Sequence, residues 1–287
     1  MRLGIVEQII LRTSWFYEVK SASLLQNVHA ICFYQMRHLS HRVLLGLLAL
    51  CGFFPLLTQA EIWHSTRTSE INDVAIAPNG FIWLTGKTGV IWVSDNIYGS
   101  SFTQIKARDF NRLSVGPDST VWVIKSNGTL WKFVAGNWTK TAAKSVEDVA
   151  IAVDGNVWLV EKSGAVSFSR DKGQSFTQIA ATGFSRISTG LDGTIWAVGT
   201  NGILWKFVAE RWIQTTASNI GDVAIAPGGL IWLAGKNGIV WSSSDDGVTF
   251  TQDEHASGIE NIAAGRSGAW AVGFDGTLWR KLFSPQY

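Results

Sequence analysis

The sequence predicts an all-β chain that closes as a six-bladed β-propeller of four-stranded antiparallel blades, and three observations carry the prediction. Asp73-Val-Ala-Ile-Ala77 returns as Asp148-Val-Ala-Ile-Ala152 and Asp222-Val-Ala-Ile-Ala226, so a unit of 75 and then 74 residues occurs three times. Each unit splits again, because a Trp marks a half-unit at 83, 122, 158, 196, 232 and 270, in steps of 39, 36, 38, 36 and 38 residues. Finally, the segment from Glu61 to Ser69 matches the outer-strand segments Gly136 to Lys144 and Glu210 to Ser218, with Trp63, Trp138 and Trp212 aligned. The last half-unit ends after its third strand near Phe283. The first segment is therefore expected to complete the last blade and remove its open edge, as a closed ring requires.

In chain order, residues 1–35 show no repeat or periodicity and read as an extension upstream of a true start at Met36. Arg37, His38, His41 and Arg42 then precede an apolar run from Val43 to Leu57, followed by Thr58, Gln59 and Ala60. That is the layout of a secretory signal over 36–60, with cleavage expected after Ala60 and a secreted or periplasmic mature chain. The run is short of the roughly 20 residues a membrane span needs; a short cytoplasmic tail on an uncleaved anchor is the other reading. Residues 61–287, the expected propeller, hold nineteen Lys plus Arg against twenty Asp plus Glu and no Cys. Without a basic excess, counterion release gives little drive for nucleic-acid binding. Without disulfides, a hydrophobic core must hold the ring together.

Within the first blade, strands are expected over 74–77, 81–85, 90–94 and 101–105, β-branched and aromatic runs between Gly-bearing turns. Trp pairs recur at 83/92, 122/131, 196/205, 232/241 and 270/279, with Ser167 in place of a partner for Trp158. Lying symmetrically about the turn 86–89, Trp83 and Trp92 are expected opposite each other on one face of a hairpin, packed between adjacent blades.

Ten residues before each first Trp, the inner strand begins beside the central channel, and that position reads Asp73, Arg112, Asp148, Arg186, Asp222 and Glu260. The charges nearly alternate, so Asp to Arg pairs would tie neighbouring blades. At Glu260, however, three acidic groups would meet, and like charges held together raise a pKa or recruit a cation. Asp73, Asp222 and Glu260 are thus a candidate cation or ligand-amine site, a solvated channel mouth with interblade salt bridges being the plainer alternative. The turn between second and third strands carries Lys87, Lys162 and Lys236 in one type of half-unit and Asn127, Asn201 and Asp275 in the other. On the face where propellers usually hold ligands, this array would suit an anionic or hydroxyl-rich ligand. The same residues are also ordinary hairpin-turn formers.

Catalysis is not expected. Only Tyr98 and Tyr287 are available in 61–287 as tyrosine nucleophiles, and His64 and His255 form no ligand-spaced cluster. No cofactor is implied.

Two motifs resemble known repeats. Ser169-Arg-Asp171-Lys-Gly173-Gln-Ser175-Phe176 and Ser243-Ser-Asp245-Asp-Gly247-Val-Thr249-Phe250 resemble the Asp-box, and Ser94 to Phe102 looks like a version with an insertion. There the Asp would accept backbone N–H bonds of its own turn, as a staple on the face opposite the usual ligand face. Ser188-Thr-Gly-Leu-Asp-Gly-Thr-Ile-Trp196, then Asn201-Gly-Ile-Leu-Trp205 and Trp212, resembles the tectonin repeat, with counterparts at Trp122/Trp131/Trp138 and Trp270/Trp279. That resemblance implies a lectin binding glycan or lipopolysaccharide. The Asp-box half-units are more similar to propellers of sialidases and photosystem assembly factors, which leaves open a scaffold for a protein partner, and least of all a glycoside hydrolase.

Overall fold

The computed structural model describes residues 62–282 apart from 267; the expectations for 1–35, for the signal segment 36–60, and for Phe283 and Tyr287 lie outside the described residues. Among the described residues there is no helix, and the strands form six four-stranded antiparallel sheets. In blade 1 the inner strand Ile71–Ile76, the second Ile82–Gly86, the third Ile91–Ser94 and the outer Phe102–Ile105 pair in that order. The inner strands of blades 2 to 6 are Phe110–Val115, Val146–Ile151, Phe184–Thr189, Ile220–Ile225 and Ile259–Gly265. Such short, β-branched strands cannot bury both faces within one sheet, so each blade covers its neighbours.

The ring closes as the sequence predicts. The strand His64–Ser65 pairs antiparallel with Leu278–Leu282, His64 opposite Arg280 and Ser65 opposite Trp279. Trp63 is buried, meets Trp232 of blade 5 edge-on at 5.8 Å, and donates its indole N–H to Asp253 Oδ2 at 3.1 Å. The same carboxylate receives the Lys281 ammonium, which lies over the Trp232 ring at 5.1 Å. The closing segment is thus held by main-chain pairing, an aromatic contact and a charge-assisted bond together.

The Trp pairs, by contrast, do not share a face. Trp83 stands opposite Val93, and Trp92 opposite Leu84, so the register is one residue off the symmetrical pairing and the two indoles point to opposite sides of the sheet. The same offset recurs in blade 2, where Trp122 faces Lys132 and Trp131 faces Val123. Trp83 therefore packs towards blade 2, 6.2 Å from the Phe133 ring, whereas Trp92 packs with Ile71, Leu84 and Trp270 at the junction with blade 6. One hairpin thus supplies half-buried aromatic surface to two interfaces.

Each inner strand begins with the same two devices. The residue before it is left-handed, with φ of 60° at Glu70, 69° at Asp109, 53° at Ser145, 89° at Gly183, 61° at Asn219 and 72° at Gly258. A register shift follows between Ile71 and Asp73, and at the matching place in every other blade. Such a bulge re-aims side chains locally, and here it lets Ile71 enter the interblade core while Asp73 is also buried beside the channel.

Candidate functional site

Five of the six ring positions read from the sequence meet at one end of the channel. Arg112 Nε donates to Asp148 Oδ1 at 2.9 Å, and its guanidinium lies 3.9 Å from both Asp73 and Asp222. Its Nη1 also donates to Asn261 Oδ1 at 3.1 Å. One side chain from blade 2 thus reaches blades 1, 3, 5 and 6 across the channel. Arg186 has Asp222 at 3.9 Å and Glu147 at 3.5 Å.

Glu260 does not take the sixth position. It is exposed, and the buried residue there is Asn261, opposite Val272 as Asp73 is opposite Thr85. The cause is a shorter turn in blade 6: Ala264 pairs with Ala269, where the equivalent blade 1 pair is Ile76 with Ile82. Counting back ten from Trp270 therefore overshoots by one residue. The three acids Asp73, Asp222 and Glu260 do not converge; instead, Asn261 accepts from Arg112 and donates to the Asn72 carbonyl at 2.8 Å. Aligning the apolar frame Ile259, Ile262, Ala263 on Ile71, Val74, Ala75 is the signal that places Asn261 correctly.

The three Asp have a second role that the charge pattern does not reveal. Asp73 accepts the backbone N–H of Leu113 at 2.9 Å, Asp148 that of Ile187 at 2.8 Å, and Asp222 that of Ile262 at 2.9 Å. Each carboxylate therefore stitches its blade to the inner strand of the next. Burial raises the Asp222 carboxyl to about 6, against the opposing pull of Arg112 and Arg186, and with a further push from Asp148. Asp73 is also raised by burial, partly offset by Arg112. For Arg112, burial disfavours the cation, but Asp148, Asp73 and Asp222 outweigh it and hold the guanidinium more firmly protonated than usual. With three carboxylates sharing two guanidiniums in a dry site, one acid retaining a proton into the weakly acidic range is the physical outcome.

From this charged floor a cavity of about 590 Å³ widens towards the opposite face. Its rim is made by the turns joining inner to second strands, with Pro78, Pro117, Val153, Leu191, Pro227 and Arg266 one from each blade. Val153 and Leu191 are 48 and 47% exposed. Tyr98 and Val248, on connections from third to outer strands, and Val134 and Val208, the last residues of third strands, are exposed on the same face, since both kinds of connection lie at one end of an up-and-down blade. Six of the nine exposed large hydrophobics of the described residues thus lie on one face, but of these only Val153 and Leu191 line the cavity. No feature of the repeat pattern had flagged them, because the rim residues differ from blade to blade.

The second-to-third turns are on the other face, against the starts of the inner strands, as the bonds from Lys87 N to Glu70 O and Lys162 N to Ser145 O show. Lys87, Asn127, Lys162, Asn201, Lys236 and Asp275 are all exposed there, yet much of their bonding capacity is used locally. Lys87 Nζ donates to the Asp275 carbonyl and Lys236 Nζ to the Thr200 carbonyl, both at 3.0 Å, each crossing to the preceding blade. The Asn127, Asn201 and Asp275 side chains accept N–H groups of their own turns, from Thr129, Ile203 and Thr277. The six residues come together as three interblade turn pairs around the ring.

The Asp turns are local staples. Asp171 accepts from Gln174 N, Ser175 N, Ser175 Oγ and Ser169 Oγ, while Gly173 N donates to Ser169 Oγ. Asp245 repeats the arrangement with Thr249 and Ser243. These bonds, that to the Thr249 hydroxyl foremost, hold Asp245 down at about 2. Asp95 accepts from Ser101 and Thr103 across the inserted turn.

No protein-family model and no curated protein matches the chain. Its fold is similar to those of several solved propellers. YCF48 bound to D1 peptide superposes with a TM-score of 0.54 at 18% identity, over 76% of this chain and 79% of that one. Virginiamycin B lyase from Staphylococcus aureus gives 0.54 at 14%, over 78% and 88%. The GH74 enzyme of Niastella koreensis gives 0.55 at 18%, over 76% of this chain and 38% of that one. The likeness agrees with the β-propeller class, whose six blades are defined by this chain's own six sheets, and at such identities it carries the fold alone. Neither the tectonin nor the Asp-box resemblance gains support from a matching family.

Proposed function

We propose that the chain is an exported, non-catalytic recognition module that binds a protein partner by receiving an apolar segment at the mouth of its central cavity. The observation that carries this reading is a cavity of about 590 Å³ with exposed Val153 and Leu191 at its mouth, on the face where Tyr98, Val134, Val208 and Val248 are also exposed. An apolar rim over a cavity with a few polar groups at its floor is the usual form of a binding site. The floor favours binding over chemistry, because Asp73, Asp148 and Asp222 are already committed to backbone N–H groups and guanidiniums. Export rests on the sequence pattern of residues 36–60. That a propeller of similar fold was solved with a D1 peptide bound supports a peptide partner as compatible with the architecture.

The glycan reading places the ligand on the opposite face, at Lys87, Lys162 and Lys236. The two readings separate in one experiment: partner binding and glycan-array binding measured for the full chain, for Val153→Asp/Leu191→Asp, and for Lys87→Ala/Lys162→Ala/Lys236→Ala. The protein-partner reading expects the rim variant to lose its partner at least tenfold in affinity while the lysine variant keeps it. Saturable glycan binding lost only in the lysine variant would replace it with the lectin.

A further inference from the structure

Blades 2 and 4 are built around the same aromatic triad. In blade 2, Phe110 stacks on Trp138 at 4.8 Å beside Trp131; in blade 4, Phe184 meets Trp212 at 4.5 Å and Trp205 at 6.2 Å. They differ in what stands in front of the rings. Opposite Phe110 is Lys125, whose ammonium lies 5.2 Å from the centre of the Phe110 ring and 5.1 Å from that of Trp131. Opposite Phe184 is Gly199. There a cavity of about 440 Å³ opens among Ala181, Phe184, Thr200, Asn201, Trp205 and Trp212. A Cβ on Gly199 would stand 2.5 Å from Asn201 Oδ1 and 3.4 Å from Trp205 Nε1. The room given up by the missing lysine side chain is therefore bordered by Trp205 and partly taken by the Asn201 carboxamide, both of which line this cavity. Blade 6 has a glycine at the same place, Gly273, but Ile259 replaces the phenylalanine, so it lacks the triad.

We infer that the blade 4 cavity binds the ε-ammonium of a lysine side chain from another molecule, in the place that Lys125 fills from within blade 2. A cation over the faces of Trp and Phe is attracted by the ring quadrupoles, most strongly when partly desolvated. Asn201 Oδ1 accepts the Ile203 N–H at 3.1 Å and keeps a second lone pair for an ammonium donor. Lys236 is no obstacle. It donates to the Thr200 carbonyl, and in blade 2 the Lys162 side chain likewise runs beside Gly128 of that blade while Lys125 stands over its rings. This inference does not depend on the central cavity, which lies at the other end of the blades.

The test is a titration of the full chain, labelled with 15N at the Trp indoles, with n-butylammonium and with n-butanol as the uncharged control. The Trp205 resonance is expected to shift saturably with the cation, and the alcohol to bind at least tenfold more weakly. Gly199 has a strand φ that any residue adopts, so Gly199→Lys, with the Asn201 carboxamide turned aside from the new Cβ, is expected to fill the site in cis and abolish binding. Lys125→Gly is expected to open a second site, reported by Trp131. Equal binding of alcohol and cation, undiminished binding in Gly199→Lys, or no second site in a folded Lys125→Gly would each overturn the inference. Tighter binding of tetramethylammonium than of n-butylammonium would overturn lysine as the source of the cation.

Discussion

Arg112 holds the floor of the cavity by offering one guanidinium to three buried carboxylates and an amide. Removing one partner of a buried ionic cluster typically costs about 3–5 kcal/mol, because the others stay dry and uncompensated. Arg112→Met is expected to lose that much at pH 7 in urea unfolding, and less at pH 5, where the orphaned acids take up protons. Asp222 gives a cleaner pH signature. Its folded pKa near 6 lies above the ordinary carboxylate value, so the native state binds more protons than the unfolded chain through that interval. The stability this group contributes is full below about 4 and is lost as pH rises through 6. Asp245, held down at about 2, works the other way, and its contribution is lost only as pH falls below about 4. The thermal midpoint is therefore expected to rise as pH falls from 7 to 4.5. Asp222→Asn, which can still accept the Ile262 N–H, should flatten that rise; an unchanged slope would contradict the assignment. The alternation of Asp and Arg was legible in the sequence. The bonds from Asp73, Asp148 and Asp222 to the next blade's backbone were not, since they depend on which N–H of Leu113, Ile187 or Ile262 the inner strand presents.

At the scale of the strand, closure and the start of each blade carry the architecture. Trp63 is the anchor of a two-residue strand that main-chain pairing alone would hold weakly. Trp63→Ala is expected to cost about 3–5 kcal/mol, the usual loss for a buried Trp, and to release the segment around His64 and Ser65 to proteolysis before the rest of the ring. Glu70 sits at a φ of 60° with an ordinary Cβ. The left-handed penalty of about 1–2 kcal/mol exceeds the extra unfolded-state entropy of glycine, about 0.5–1 kcal/mol. Glu70→Gly should therefore stabilise the chain by about 0.5–1 kcal/mol, measured by chemical denaturation. Strand positions and the latch were legible because Trp spacing and the match of 61–69 to two later segments are periodic. The left-handed residue was not, because Glu, Asp, Ser, Gly and Asn share the position and only a backbone angle unites them. The facing of Trp83 and Trp92 was misread for a related reason. A turn one residue longer than symmetry suggests reverses the side on which an indole emerges.

Across the whole molecule the two ends of the ring differ in chemistry. One carries the lysine and Asx turns, bonded from blade to blade above the charged floor; the other is an open mouth rimmed by apolar side chains. The threefold unit, read from Asp73, Asp148 and Asp222, described the ring itself well. It drew attention to the repeated residues and away from Val153, Leu191 and Gly199, whose importance lies in departing from the repeat. The direct measurement is photo-crosslinking in producing cells from a benzophenone amino acid placed at Leu191 or, on the opposite face, at Thr88. Binding through the apolar mouth predicts a single protein adduct from position 191 and none from position 88. Adducts from position 88 alone, or none from either while glycan binding persists, would contradict it.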